Sequence, residues 1–342
     1  MADTGLLARR LGEGKALLAD GATGTNLFDM GLASGDAPEL WLDSHPERIA
    51  ALHGAFVDAG ADIILTNSFG GNARRLMLHD LQHRAGEINA NAARIARAVA
   101  DKAGRPVVVA GSVGPTGDLF APLGALTEAE AVDVFAEQMA GLKAGGVDVL
   151  WIETMSAVEE MRAAATAAAR VGMPYVLTAS FDTSGRTMMG LQPASLVAFA
   201  TALVPPPLAV GSNCGVGASD LVVSVLSMTQ ALPGIAIVAK ANAGVPTVHG
   251  DHVHYSGTPE TMERYAHLAI DAGATIVGGC CGTTPGHLAA MRRAIDAHRA
   301  GARPDRALVE DRLGKLVSPP LDIEPAPRRA GRRHATPGSQ TP

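Results

Sequence analysis

Residues 128–153, EAEAVDVFAEQMAGLKAGGVDVLWIE, hold a helix, a stop and a buried strand in one run. Glu128–Ala144 is Ala-rich with its Glu residues at outward helical spacing, the pattern of an outer-layer helix. Gly145 and Gly146 then supply a helix C-cap, and the apolar strand Asp148–Glu153 follows at once. The same junction recurs at Asp58-Ala59-Gly60-Ala61-Asp62 and at Asp271-Ala272-Gly273-Ala274. A glycine stop leading straight into a buried strand is the αβ turn of a βαβ series.

Working outward, the pattern predicts eight strands: 16–20, 62–66, 106–110, 148–153, 175–180, 208–213, 235–239 and 274–279. Helical stretches follow most of them, including 46–59, 87–103, 128–144, 157–170, 260–271 and 285–299. Eight β-then-α units fit a closed (β/α)8 TIM barrel forming a single domain over residues 1–316. A doubly wound open sheet is the competitor, but no GxGxxG follows the first strand. The stretches 21–45 and 241–258 read as loops over the barrel mouth. After Leu316, Ser318-Pro319-Pro320 opens a Pro/Arg-rich segment, 317–342, with few apolar residues, expected to be disordered. Its Arg328-Arg329 and Arg332-Arg333 pairs read as part of a solvated tail.

Composition agrees. Of 342 residues 47% are apolar, 18% charged and 4% aromatic, which suits packed helices and strands better than an all-β sandwich. Barrels of this class run to about 250 residues or more as one domain. A net charge of -6 without a basic stripe argues against nucleic acid. Apolar runs fall short of the roughly 20 residues a membrane span needs. Met1 to Leu18 carries Arg9 and Arg10 but no sustained apolar core, so no signal peptide is expected. Three cysteines, two of them adjacent, do not make a disulfide scaffold, and the expected compartment is reducing and cytoplasmic.

Those cysteines carry the chemistry. Cys280 and Cys281 stand at the end of the eighth strand, in Gly278-Gly279-Cys280-Cys281-Gly282-Thr283-Thr284-Pro285, and Cys214 ends the sixth, in Gly211-Ser212-Asn213-Cys214-Gly215. Adjacent strand residues point to opposite faces, so two neighbouring cysteines share a ligand only where the backbone leaves extended geometry, which the glycines permit. Three thiolates around Zn²⁺ leave one tetrahedral position open, as in catalytic sites. Buried inert thiols, or a vicinal redox disulfide, are the competing readings. Asp20 and Glu153 also end apolar strands, where an ionised carboxylate needs a cationic partner. No Lys or Arg is near them in sequence, so a ligand's ammonium group fits there.

In order along the chain, DGATGTNL (20–27), TNSFGGN (66–72), GSVGPTG (111–117), WIETMS (151–156), GSNCG (211–215) and GGCCGTTPGH (278–287) resemble the homocysteine S-methyltransferase family. The resemblance spans roughly residues 14–300. It implies that Cys214, Cys280 and Cys281 bind zinc, and that Asp20 and Glu153 hold the homocysteine amino group. Asn26, Ser68 and Asn213 are expected in the same substrate pocket. The partners it implies are small molecules, homocysteine and a methyl donor, and the sequence allows a homo-oligomer.

The family's branches use betaine, S-methylmethionine, or methyltetrahydrofolate through cobalamin. The cobalamin-dependent synthases carry this barrel at the front of a much longer chain, so here a corrinoid is expected to come from another protein. A quaternary ammonium or sulfonium donor favours an aromatic cage, for which Phe28, Trp41, Phe69 and Tyr255 are the candidates. Vertebrate betaine enzymes carry a Tyr where Gly70 stands. Betaine is nevertheless the expected donor, since a free-standing barrel with TNSF suits it better than the S-methylmethionine pattern. His249, His252 and His254 form a possible second metal motif, read instead as solvent-exposed histidines that help cover the donor pocket. A barrel hydrolase and a zinc or thiol redox sensor are the rival functions, the first disfavoured by the all-cysteine set.

Overall fold

The computed structural model describes residues 5–249 and 252–320. In chain order its strands are β1 (Leu17–Leu18), β2 (Ile63–Leu65), β3 (Val108–Val113), β4 (Val149–Met155) and β5 (Tyr175–Ala179). Then come β6 (Ala209–Cys214), β7 (Ile237–Ala241), β8 (Pro246–His249), β9 (His252–Tyr255) and β10 (Ile276–Gly279). Eight of these pair in parallel, in the order β1-β10-β7-β6-β5-β4-β3-β2. A parallel bridge from Ala19 to Ile63 joins the two ends. The Asp62 amide donates to Leu18 O at 2.7 Å and the Asp20 amide to Ile63 O at 3.0 Å, closing the barrel.

Strand alternation divides the apolar residues into two cores. Leu17, Ala19, Ile63, Leu65, Val108, Ala110, Val149, Trp151, Val176, Ala209, Val238 and Ile276 form the cluster inside the barrel. Leu7, from the N-terminal helix Gly5–Gly12, belongs to that inner cluster and helps close its lower end. Leu18, Ile64, Val109, Leu150, Ile152, Leu177, Val210, Ile237 and Val277 face outward against the helices. Period-two burial on both faces is what a parallel sheet wrapped in helices requires.

The junction at 128–153 folds as read. Thr127 caps the helix Glu128–Gly145 through a reciprocal box with Glu130. Its two glycines do different work. A Cβ on Gly145 would lie 2.4 Å from both Ala90 O and the Ala93 Cβ, so its bareness lets two helices approach. Gly146, at φ 96°, takes the left-handed cap and donates to Leu142 O and Lys143 O.

Two mouth segments are more ordered than expected. Residues 21–45 contain helices at Thr23–Asp29 and Trp41–Ser44 and a 3₁₀ turn at Pro38–Leu40. Residues 241–258 contain the antiparallel hairpin of β8 and β9. Apolar side chains such as Leu27, Leu42 and Trp41 are buried in these helices, so tertiary packing rather than strong local periodicity orders them. The side chains of His249, His252 and His254, on which their reading depends, and the tail beyond Pro320 lie outside what the structure describes. Among the described residues no helix is long and apolar enough to cross a membrane.

Candidate metal centre and substrate pocket

Strand ends deliver the three cysteines to one point. Cys214, last in β6, adopts φ 61°, and Gly215 follows at φ 74°, so the chain turns sharply as it leaves the barrel. A non-glycine residue in that region is strained and persists where surrounding contacts hold it. After β10, the Cys280 amide donates to Ala241 O at 2.7 Å and the Cys281 amide to the Asn242 side-chain oxygen at 3.0 Å. Gly282, at φ 77°, then lets the backbone turn away. A Cβ on Gly282 would come within 2.2 Å of the Tyr255 ring, so only glycine fits.

The three cysteines are free, and their sulfurs lie within 4.8 Å of one another, Cys214 and Cys281 at 3.6 Å. Sulfurs bound at about 2.3 Å to one tetrahedral ion stand roughly 3.8 Å apart, so this set fits a zinc-sized cation with little movement. Hydrogen bonds from Cys214 and Cys280, with a further one from Tyr255, hold the Cys281 sulfur well below the ordinary thiol range. Cys214, sharing hydrogen bonds with Cys280 and Cys281, is pushed up. Asn213 extends its amide nitrogen toward Cys280 Sγ at 3.9 Å, and donates to Thr154 Oγ1 at 2.7 Å. Its oxygen accepts from the Thr154 amide and the Thr178 hydroxyl. Asn242 also donates to Gly215 O at 2.7 Å, so one amide ties the Cys214 turn to Cys281. Such outer contacts orient metal ligands.

Above the Trp151 layer the barrel interior turns polar, with Ser112, Glu153, Asn213 and Lys240 at its upper end. Lys240 is the residue sequence reasoning missed. The seventh strand was expected to stop at Ala239 but continues to Ala241, and Lys240 pairs in register with the inward Asn213 and Gly278. Its Nζ lies 2.7 Å from Asp20 Oδ1, with both side chains buried. Asp20 Oδ2 accepts from the Leu65 amide at 2.7 Å. The cation absent from the neighbourhood of Asp20 in sequence therefore comes from across the barrel. Burial pulls the Lys240 ammonium down, but the Asp20 and Glu153 charges outweigh it and its pKa is raised. Glu153 accepts a 2.5 Å hydrogen bond from Ser112 Oγ. Burial pushes its carboxyl up to about 7, against the pull of Lys240.

These groups open into a cavity of about 570 Å³, whose walls include Ser68, Ser112, Glu153, Lys240 and the three cysteines. Asp20 and Asn213, both fully buried, are not on its wall. Asn26 is buried, donating to Ala22 O at 2.6 Å and Thr283 O at 2.9 Å, and so ties the first mouth helix to the Cys280 turn. Ser68 donates to Ser112 O at 2.8 Å. Phe28 and Phe69 line the outer cavity and are partly exposed. Trp41 does not join them: it is 6% exposed, packed in the outer core, with the Arg48 guanidinium 4.9 Å from its ring centre. Tyr255 stands against Cys281 and Gly282 rather than with the two phenylalanines. Helix residues hold the mouth loops from behind. Gln138 donates to Ser68 O at 2.8 Å, and Glu160 accepts from the Thr116 amide and hydroxyl. Nothing local in sequence distinguishes these two from ordinary helix-surface residues.

A closed parallel barrel whose strand ends gather three free thiols, a buried carboxylate and a buried ammonium around one cavity defines a barrel protein with a candidate thiolate metal centre at its mouth. The homocysteine S-methyltransferase family model matches residues 17–295, and the chain belongs to that family. It is 29% identical over 298 residues to the methionine synthase of Mycobacterium tuberculosis, and 28% identical over 308 residues to that of Mycobacterium leprae. These matches cover 82% and 85% of this chain but 25% of each relative, so the chain spans about a quarter of their length. Its fold is similar to the metallated form of the homocysteine methyltransferase MmuM from Escherichia coli. The TM-score is 0.72 at 23% identity, covering 84% of this chain and 99% of that one.

Proposed function

We propose that this chain transfers a methyl group to the sulfur of homocysteine, giving methionine, with zinc held by Cys214, Cys280 and Cys281. The observation that carries the reading is the convergence of three sulfurs within 4.8 Å, on the wall of a cavity that also presents Glu153. Zinc bound there would keep a substrate thiol deprotonated near neutral pH, so no protein base has to remove that proton. The chain's own groups do the rest. Glu153 receives the substrate's ammonium, and Asn213 and Asn242 keep the cysteines in place. The polar layer and the cavity walls hold the sulfur in line with the methyl carbon and limit water. As the S–C bond forms, the donor's bond to that carbon breaks and its electron pair stays with the donor.

In this reading the donor is glycine betaine, which leaves as dimethylglycine, and Phe28 and Phe69 offer their ring faces to its quaternary ammonium. A second reading is a methyl group carried on a corrinoid by another protein or domain. It is favoured by the relatives named methionine synthase, of which this barrel corresponds to a quarter. The test is zinc-loaded full chain with homocysteine and, in parallel, betaine, dimethylsulfoniopropionate, S-methylmethionine, methylated folate or a methylcorrinoid, with methionine read by mass spectrometry. We expect about one zinc per chain, lost together with turnover in Cys281→Ser. Zinc bound without methionine from any donor would refute the assignment and leave the thiol-sensor alternative.

A further inference from the structure

We propose that Lys240 is the carboxylate receptor for the amino-acid substrate, so that homocysteine is gripped by Lys240 at its α-carboxylate and by Glu153 at its α-ammonium. This rests on the homocysteine reading above and assigns the two charged ends of that substrate.

Charge and position lead to it. Two carboxylates, Asp20 and Glu153, were expected to share the substrate's ammonium. Asp20 is withdrawn from that role: Lys240 Nζ takes one oxygen at 2.7 Å, the Leu65 amide takes the other at 2.7 Å, and the residue has no exposed surface. Lys240 stands in front of it on the cavity wall. An ammonium has three donors, and Asp20 is the only hydrogen-bond acceptor of Lys240 among the described residues. Two N–H groups therefore remain for an incoming anion. Beneath them the Trp151 ring, 5.8 Å from Nζ, closes the interior with an apolar floor. Glu153 has the Ser112 hydroxyl as its direct partner and no ion pair among the described residues, so it has acceptor capacity for a substrate ammonium.

The pairing is chemically complementary. Lys240 on β7 and Glu153 on β4 approach the cavity from different strands, presenting one positive and one negative group to a substrate with one of each. A zwitterion adds no net charge to an interior already carrying Asp20, Lys240 and Glu153, and its two ends satisfy groups that burial makes costly to leave unpaired. The Asp20–Lys240 contact then orients the ammonium before substrate arrives, which lowers the ordering cost of binding.

The test compares two thiols on zinc-loaded full chain: L-homocysteine, and 3-aminopropane-1-thiol, which keeps the amine and thiol but lacks the carboxylate. Binding is measured by calorimetry, and thiol ligation by the visible spectrum of the cobalt-substituted protein. Lys240→Met strands Asp20 in the interior, so Lys240→Met/Asp20→Asn is the main variant, with Lys240→Met beside it. Loss of a charged hydrogen-bonded contact should weaken homocysteine binding by about 10- to 100-fold in the double variant, with 3-aminopropane-1-thiol changed by less than about threefold. The cobalt spectrum at saturation should be unchanged, because the sulfur still ligates. An equal loss for both thiols, or none for homocysteine, would overturn the proposal. If the wild-type chain binds neither thiol at its metal, the homocysteine reading itself fails, a distinct result.

Discussion

His53 offers the sharpest test of the interior's electrostatics. It lies in the helix Pro46–Asp58, 1% exposed, and neither ring nitrogen has a hydrogen-bond partner among the described residues. Burial lowers its pKa from 6.5 to about 4, against the pull of the nearby Asp20 charge. In the unfolded chain the imidazole takes up a proton below about pH 6.5, whereas the folded chain holds it neutral until about pH 4. Stability is therefore fully present above pH 6.5 and is lost as the pH falls through that window. At roughly 1.4 kcal/mol per pH unit the fall amounts to about 3 kcal/mol. Replacing the ring by His53→Leu removes that proton uptake, and also two buried polar atoms that cost about 1–3 kcal/mol each when unpaired. Urea unfolding of both proteins, followed by far-UV circular dichroism from pH 7.5 to 4, reads the difference, in which titrations common to both chains cancel. The variant's advantage should be nearly constant above pH 7 and should grow by about 3 kcal/mol toward pH 4. A gap that stays flat or narrows on acidification would show that His53 is solvated or paired in the folded protein.

Other consequences follow from the same geometry. Because burial lifts Glu153 to about 7, wild-type affinity for homocysteine should rise between pH 6 and 8 more steeply than proton loss from the ligating thiol alone requires, and Glu153→Gln should bind more weakly and keep only the thiol's share of that rise. A pH series of homocysteine dissociation constants checks both. Asn242→Ala removes the acceptor for the Cys281 amide and the donor to Gly215 O, so zinc affinity measured by chelator competition should fall by about 10- to 100-fold. Asp62 joins Arg10 at 2.8 Å, Arg292 at 3.0 Å and the Leu18 amide at 2.9 Å where the barrel closes. Its side chain is largely buried, so Asp62→Ala should lower stability by about 3–5 kcal/mol in chemical unfolding.

Much of this was legible along the chain. Local patterns carried the glycine-stopped helices, the eight apolar strands and the place of each cysteine at a strand's end, because each depends on a few consecutive residues. Burial period, cap geometry and a cysteine set among glycines are short-range facts, and the register of an inward-facing strand follows from its parity. The assignment of Trp41 to the cavity did not follow. A tryptophan near the mouth in sequence can face either layer, and its helix turned it into the outer core beside Arg48.

What tertiary structure alone decided was which charges meet. Lys240 and Asp20 are separated by 220 positions and lie within one hydrogen bond of each other, because β1 and β7 both border β10. Two further residues on β7 placed the lysine inside, where stopping at Ala239 had left it unassigned. Sequence determined which side chains the barrel could present at its mouth. Closure of the sheet determined which of them are already paired, since a buried ion pair is a property of distance through the fold, and linear order does not encode that distance.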